Sequence, residues 1–149
     1  KRIAYQIYEA NISQEEVVIA GIKANGYIFA EKLKTAVEKI SPIKVTLCKV
    51  TMDKKNPINS ITTSLKPEAY QNKSLLLVDD VLHSGTTLIY AVKHFLEVPL
   101  KQFKTAVLVD RNHKKYPIKA DYKGISLSTS INENVAVIFE SGNNRAILE

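Results

Sequence analysis

Residues 75–88 read Leu75-Leu-Leu-Val-Asp-Asp-Val-Leu-His-Ser-Gly-Thr-Thr-Leu88. The apolar run Leu75–Val78 is followed by two acids, then by small and hydroxyl-bearing residues, and then by a segment of helical period. A short continuous apolar run is typical of a strand buried on both faces of a parallel sheet. The stretch therefore predicts a strand, a turn and a helix, with the turn at the sheet edge where ligands of open parallel sheets bind.

The same pattern extends along the chain. Four more apolar, β-branched runs predict strands: Val17–Ala20, Ile43–Val50, Thr105–Val109 and Val135–Phe139. Three intervening segments have helical period, with faces formed by Ile3, Ala4, Ile7 and Tyr8, by Tyr27, Ala30, Leu33, Val37 and Ile40, and by Leu88, Val92, Phe95 and Leu96. Pro42 and Pro99 follow the second and third of these, where helices are expected to stop. The order predicts one α/β domain over residues 1–149, with a mainly parallel sheet flanked by helices.

Composition excludes several classes of protein. The chain has 149 residues, of which 45% are hydrophobic and 24% charged, as in ordinary globular domains. No apolar run reaches the roughly 20 residues that a membrane span needs. The single cysteine, Cys48, excludes an internal disulfide and a multi-cysteine metal site, which fits a reducing compartment, and we expect a cytoplasmic protein. Because the chain opens at Lys1 without a methionine or a signal pattern, we expect that a few upstream residues precede it.

The turn after Val78 combines two chemical features. Asp79 and Asp80 are acceptors suited to sugar hydroxyls. Ser84-Gly-Thr-Thr87 supplies hydroxyls and free N–H groups at a helix start, which favours an anion. An acidic pair and a Ser/Thr helix cap are each ordinary on their own, but together they are suited to a pentose 5-phosphate.

Leu76-Leu-Val-Asp-Asp-Val-Leu-His-Ser-Gly-Thr-Thr87 closely resembles the phosphoribosyl-pyrophosphate signature of type I phosphoribosyltransferases. The similarity extends through Gly21–Gly26, Thr105–His113 and Tyr116–Tyr122, and it is poorest across residues 49–73. Within the family, the sequence is most similar to the bifunctional pyrimidine-operon attenuators that are also uracil phosphoribosyltransferases.

This resemblance implies transfer of ribose 5-phosphate from phosphoribosyl pyrophosphate to a nucleobase, with release of pyrophosphate and assistance from Mg2+. Asp79 and Asp80 are then expected to hold the ribose 2- and 3-hydroxyls. Ser84, Gly85, Thr86 and Thr87, with the backbone near His83, are expected to wrap the 5-phosphate. We expect no metal site made by the protein alone, because Mg2+ is held mostly by substrate oxygens and water. A homodimer or higher homo-oligomer is also implied.

The same resemblance implies a pyrophosphate-binding loop over Lys23, Ala24, Asn25 and Gly26. Lys23 adds a cation beside exposed N–H groups, although a tight turn with a solvated lysine gives the same pattern. Related sequences carry arginine where Asn25 stands, so this position departs from the family.

His83 is a second departure, since purine-using relatives place an acid there. An imidazole with an unperturbed pKa near ~6.5 is suited to accept a proton from an incoming base. The alternative is that only the backbone of His83 matters and that its ring faces solvent.

For the nucleobase, the resemblance implies Arg111 at a base carbonyl, with Asp110 as its orienting partner. Tyr122 is expected to stack on the base, and the Lys123 backbone to bond its edge. Residues 111–134 would form a small hood, and residues 52–73 a long flexible lid, with Lys49 near its start as a catalytic cation. A disordered insertion or a weakly signalled strand around Ile58–Leu65 are the alternatives for the lid.

Three rival functions remain at this stage. An RNA-binding attenuation regulator on the same fold is supported by the net charge of +6 and the basic segment 111–123, but no aromatic-interleaved RNA motif favours it. A purine phosphoribosyltransferase is the second. A receiver-type signalling domain is disfavoured, because its acid pair follows the first strand whereas Asp79-Asp80 follows the third. The residues do not select the base, and uracil is favoured by resemblance alone.

Overall fold

The computed structural model describes residues 1–128 and 132–149. Its elements in chain order are α1 (Arg2–Ala10), β1 (Glu16–Ile22), α2 (Asn25–Ile40), β2 (Lys44–Thr51), β3 (Thr62–Thr63), α3 (Pro67–Tyr70), β4 (Ser74–Leu82), α4 (Thr86–Phe95), β5 (Gln102–Asp110), β6 (Tyr122–Ser126), β7 (Val135–Ile138) and β8 (Arg145–Leu148). The main sheet has the order β3-β2-β1-β4-β5-β6 and is parallel except for β3, which runs antiparallel to β2. The predicted α/β fold with a mainly parallel, helix-flanked sheet is confirmed.

The sheet is covered on both faces. Helices α1 and α2 pack on one face against side chains such as Ile19 and Val78. Tyr70 of α3 and Phe95 of α4 pack on the other face against Leu77 and its neighbours, with the two rings 5.1 Å apart. The central strand β1 is buried in every residue after Glu16, which explains why the predicted strands lack polar alternation. Within the described residues, no helix is both long and apolar enough to cross a bilayer.

One predicted strand lies outside the main sheet. The run Val135–Phe139 contains β7, which, within the described part of the chain, pairs with β8 alone in a separate antiparallel hairpin. The edge position beside β5 is taken by β6 instead. Its sequence, Tyr-Lys-Gly-Ile-Ser, has no continuous apolar run, because an edge strand is covered less completely than a central one.

The segment predicted as a lid is partly regular. Residues 52–61 contain no helix or strand, whereas the rest of the segment contains β3 and α3, with Tyr70 only 2% exposed. The predicted hood, residues 111–134, includes β6, and its residues 129–131 lie outside the described part of the chain.

Candidate active site

The signature turn, residues 79–87, forms one wall of a cavity of about 60 Å3 at the carboxyl end of the sheet. Strand β4 continues through the two acids to Leu82, so the acids lie in the strand and not after it. The pocket is lined by Asp79, Val81, Leu82, His83, Ser84, Gly85, Thr87, Leu88 and Val107. It therefore brings together five of the residues predicted to bind phosphoribosyl pyrophosphate.

The start of α4 forms the anion-binding end of this pocket. Gly85 precedes the helix with φ of 86°, a left-handed conformation that favours glycine. The first intrahelical bond runs from the Ile89 N–H to the Gly85 carbonyl at 2.9 Å. The N–H groups of Thr87 and Leu88 therefore have no carbonyl partner within the helix, and the helix dipole favours negative charge beside them.

The hydroxyl groups of Ser84 and Thr86 lie beside these N–H groups, and we call residues Ser84–Thr87 the cradle. The Ser84 and Thr86 hydroxyl oxygens lie 2.9 Å apart, and the Thr86 N–H donates to Ser84 Oγ at 3.3 Å. The Ser84 carbonyl accepts the N–H groups of Lys115 and Tyr116 at 2.8 and 3.2 Å, which fastens the predicted hood to the turn. A Cβ placed on Gly85 would lie 2.6 Å from Ile118 Cγ2, so this packing also requires glycine.

Asp79 is the buried acid of the pair. Its side chain accepts the Asp80 N–H at 2.9 Å, and its Oδ1 lies 3.9 Å from the Lys54 ammonium. Burial raises the pKa of Asp79 to about 8; the neighbouring Asp80 charge adds to this and Lys54 opposes it. Sequence reasoning missed Lys54, because one lysine in an irregular, lysine-containing segment carries no signal of where it points.

Asp80 lies against the start of α2. Asn25 Nδ2 donates to Asp80 Oδ2 at 3.3 Å and to the Val137 carbonyl of β7 at 2.8 Å. Gly26 makes this approach possible, since a Cβ there would lie 3.0 Å from both Asp79 Oδ1 and the Val78 carbonyl. The predicted pyrophosphate loop and both acids are thus in contact.

The rest of that loop faces outward. Lys23 and Ala24 are exposed, and the peptide bond between them is cis. The Lys23 N–H donates to the Val50 carbonyl at 2.9 Å. Lys49 lies on the neighbouring strand β2, paired in register with Gly21, and its ammonium sits 4.7 Å from the Tyr27 ring centroid. It is exposed at the same end of the sheet, and the catalytic role predicted for it stays a prediction.

The His83 side chain is exposed at the mouth of the pocket. Its ring centroid lies 6.2 Å from that of His113. Partial burial, with the positive charges of Arg111, His113 and Lys115, lowers the pKa of His83 below its ordinary value. The lowered pKa favours the uncharged form of the imidazole.

The three predicted base-binding residues have different surroundings. Arg111 is buried, and its side-chain Nη2 donates to the Glu133 carbonyl. Its backbone N–H donates to the Leu82 carbonyl at 3.0 Å. The Lys123 ammonium lies 3.7 Å from Asp110 Oδ2, which also holds Lys114 at 3.4 Å.

The Tyr122 ring packs instead against the core on the face covered by α1 and α2. Burial, with the negative charges of Asp121 and Glu9, raises the pKa of its hydroxyl. Stacking of this ring on a base stays a prediction.

Comparison with known proteins was made over the whole chain. The phosphoribosyl transferase domain model matches residues 1–139. The bifunctional protein PyrR of Clostridium acetobutylicum is 35% identical over 144 residues, covering 91% of this chain and 81% of the relative. That of Streptococcus mutans is 33% identical over 141 residues, covering 91% and 79%.

Solved structures agree on the fold. The hypoxanthine phosphoribosyltransferase of Trypanosoma cruzi superposes with a TM-score of 0.74 at 18% identity, covering 92% of this chain and 77% of that one. A hypoxanthine-guanine phosphoribosyltransferase of Bacillus anthracis gives a TM-score of 0.68 at 21% identity, covering 85% and 73%. At such identities the likeness concerns the fold and not the base.

Proposed function

The chain belongs to the phosphoribosyl transferase domain family and is a phosphoribosyltransferase, and we propose that it transfers ribose 5-phosphate from phosphoribosyl pyrophosphate to uracil. The observation that carries the proposal is the pocket lined by Asp79 together with Ser84, Gly85 and Thr87 of the cradle. A ligand with sugar hydroxyls and a phosphate would offer complementary groups to both the acid and the cradle.

The two ends act by different means. The N–H groups at the start of α4 and the hydroxyls of Ser84 and Thr86 would donate to the 5-phosphate. Asp79 and Asp80 would accept hydrogen bonds from the ribose hydroxyls, since ionised carboxylates only accept. Because the ribose hydroxyls would donate further hydrogen bonds to the buried Asp79 carboxylate, sugar binding would favour its ionised form.

The reaction breaks the bond between the anomeric carbon and pyrophosphate and forms a bond from that carbon to a base nitrogen, which loses its proton. Positive charge develops on the sugar as pyrophosphate leaves, so rate would come from fixed geometry and from carboxylates near the sugar. His83 is the candidate acceptor for the base proton. Its imidazole, in which the uncharged form is favoured, lies on the wall of the same pocket.

Magnesium is part of the proposal. Among the described residues, no group of three or more His, Cys, Asp or Glu side chains is placed to hold a metal ion. Asp79 lines the pocket and Asp80 is its neighbour in β4, and so small a set of carboxylates suits an ion that keeps waters and takes oxygens from its substrate. When bound, Mg2+ would offset the charge of the leaving pyrophosphate, and exposed Lys23 would add a cation from the loop before α2.

Uracil is favoured by the resemblance of residues 105–122 to uracil-using members of the family. Arg111 lies after β5 beside the pocket, where its guanidinium would reach a base carbonyl. The test is a panel of uracil, hypoxanthine, guanine, xanthine, orotate and adenine, each incubated with phosphoribosyl pyrophosphate and Mg2+ while pyrophosphate release is followed. The largest kcat/KM is expected for uracil. Preference for hypoxanthine or guanine would instead support the purine alternative, and no release with any base would contradict the transferase proposal.

An RNA-binding regulatory role is the second candidate function. It is supported by Lys115 and Lys119, which are exposed in the predicted hood. Lys114 and Lys123, however, are engaged by Asp110, which reduces the charge offered to a polyanion. A filter-binding series with pyrimidine-operon leader RNA tests it, because phosphate contacts predict an affinity that falls steeply with added salt. Absence of specific binding at low salt would remove this role.

A further inference from the structure

Asn25 occupies the position in the predicted pyrophosphate loop where the family resemblance leads us to expect an arginine, yet its side chain lies among hydrogen-bond acceptors. Its side-chain nitrogen is 3.3 Å from Asp80 Oδ2 and 2.8 Å from the Val137 carbonyl. Both neighbours are hydrogen-bond acceptors, so only the NH2 end of the amide can face them. The two amide hydrogens are thus directed to two partners within the chain.

This arrangement leaves little of Asn25 for pyrophosphate. The remaining polar atom of the side chain is Oδ1, which accepts and does not donate, and an acceptor gains nothing from a phosphate oxygen. Positive charge in this loop comes from Lys23, two residues earlier and exposed. The shorter, uncharged side chain therefore has a different task from that of an arginine.

We propose that Asn25 is a positioning residue that orients the Asp80 carboxylate for ribose and ties it to strand β7. The Val137 carbonyl fixes the amide from one side, and the amide fixes Asp80 Oδ2 from the other. Asn25 and Gly26 open α2, a 16-residue helix packed on the main sheet, so the amide is presented from a rigid element. A carboxylate held in this way is preorganised before the sugar arrives, which lowers the ordering cost of binding.

The inference rests on the proposed function, because it assumes that Asp80 binds ribose hydroxyls. Two small ligands separate a positioning role from direct pyrophosphate contact. Ribose 5-phosphate carries the hydroxyls and the phosphate but no pyrophosphate, and inorganic pyrophosphate carries no sugar. Calorimetric titration of each, with Mg2+, into the full chain measures the two ends of the substrate separately.

Asn25→Ala is expected to weaken binding of ribose 5-phosphate about five- to tenfold, which lies within the usual effect of losing one hydrogen bond. Binding of pyrophosphate should change by less than about twofold. Lys23→Ala is expected to show the opposite pattern, since that change removes the loop's cation. Asn144→Ala, at an exposed position between β7 and β8, is the matched control and should leave both affinities unchanged.

A double-mutant cycle adds a readout that general loosening of the loop would not give. If Asn25 acts through Asp80, Asn25→Ala in an Asp80→Asn background should cost almost nothing further. Asn25→Ser, whose short hydroxyl cannot span both acceptors, serves if the alanine variant does not fold, and should show the same pattern.

Four outcomes would overturn the inference. Pyrophosphate binding that falls as much as ribose 5-phosphate binding would show direct contact, and the transferase proposal would stand. Unchanged affinity for both ligands, or full additivity in the cycle, would remove the positioning role. A wild-type chain that binds neither ribose 5-phosphate nor phosphoribosyl pyrophosphate would overturn the proposed function and this inference together.

Discussion

The Lys54 ammonium lies 3.9 Å from the Asp79 carboxylate, which connects the irregular segment after β2 to the buried acid of the pocket. The segment is shaped by Asp53, whose Oδ1 accepts the N–H groups of Lys55 and Asn56 at 2.9 and 3.3 Å. Lys54 is thus presented by a local turn, and its charge opposes, without overcoming, the effect of burial on the pKa of Asp79.

Replacing Lys54 by glutamine should therefore raise the pKa of Asp79 beyond about 8, because the cation that opposes the effect of burial is lost. Since Lys54 is half exposed, we expect only about a two- to fivefold weaker affinity for phosphoribosyl pyrophosphate at pH 7. Calorimetric titration across pH 6–9 measures the change. The control is Lys55→Gln, at the neighbouring exposed position. Identical pH profiles for the two variants would exclude a role for Lys54 at Asp79.

Asp79→Asn should stabilise the fold while impairing the enzyme. The folded-state pKa of about 8 lies above the ordinary value of 3.8, so between these values the folded state holds a proton that the unfolded state has released. Wild-type stability should then fall with rising pH in this window, by up to about 1.4 kcal/mol per pH unit from this group, and level off above pH 8. The stability difference between Asp79→Asn and wild type should be near zero below pH 4 and grow up to pH 8. Denaturant unfolding at several pH values checks this, and a difference independent of pH would contradict it.

His83→Ala tests the proton acceptor. Because partial burial and nearby positive charges lower the pKa of His83 in the free chain, the acid limb of the kcat/KM profile should lie below the ordinary histidine value in the wild type. In the variant, this limb should flatten and kcat should fall roughly 100-fold or more. His94→Ala on α4 is the comparison, since His94 lies outside the pocket lining. An unchanged profile in His83→Ala would leave only the backbone of this residue in the mechanism.

Gly85→Ala should damage the anion cradle. The new methyl group would require a non-glycine residue at φ of 86° and would meet Ile118 Cγ2 at 2.6 Å. We expect a loss of at least about 1 kcal/mol of stability from the backbone alone, together with weaker binding of inorganic phosphate. Gly142→Ala separates the two costs, because Gly142 also has a positive φ, of 76°, but a Cβ there meets no atom within 4 Å. Equal phosphate affinity in both variants would count against the cradle.

The central strands, the three longer helices and the signature turn could be predicted because buried segments have characteristic runs or periods of apolar residues. Strand β1 is enclosed on both sides, so its residues are uniformly apolar. Strand β6 gives no such signal, because a strand at the edge of a sheet tolerates polar residues. The apolar run at Val135 predicts a strand, but apolar residues do not indicate which strand it pairs with.

The site was predictable in outline for a related reason. Residues that are close in sequence stay close after folding, so the sequence alone predicts that Asp79 and the Ser84–Thr87 cradle belong to one site. Contacts between segments that are distant in sequence cannot be predicted in this way. The approach of Lys54 to Asp79, and that of Asn25 to Val137, depend on how separate elements meet in space.

Binding of phosphoribosyl pyrophosphate is the measurement on which the account depends most directly. Calorimetric titration of this sugar with Mg2+ into the wild-type chain should give saturable heat with one site per chain. Asp80→Asn, which keeps the shape of the side chain, should retain the thermal unfolding profile and lose at least about tenfold in affinity, because a carboxylate acceptor for the ribose hydroxyls is removed. Absence of heat in the wild type, or equal affinity in Asp80→Asn, would contradict the assignment of this turn to an activated pentose phosphate.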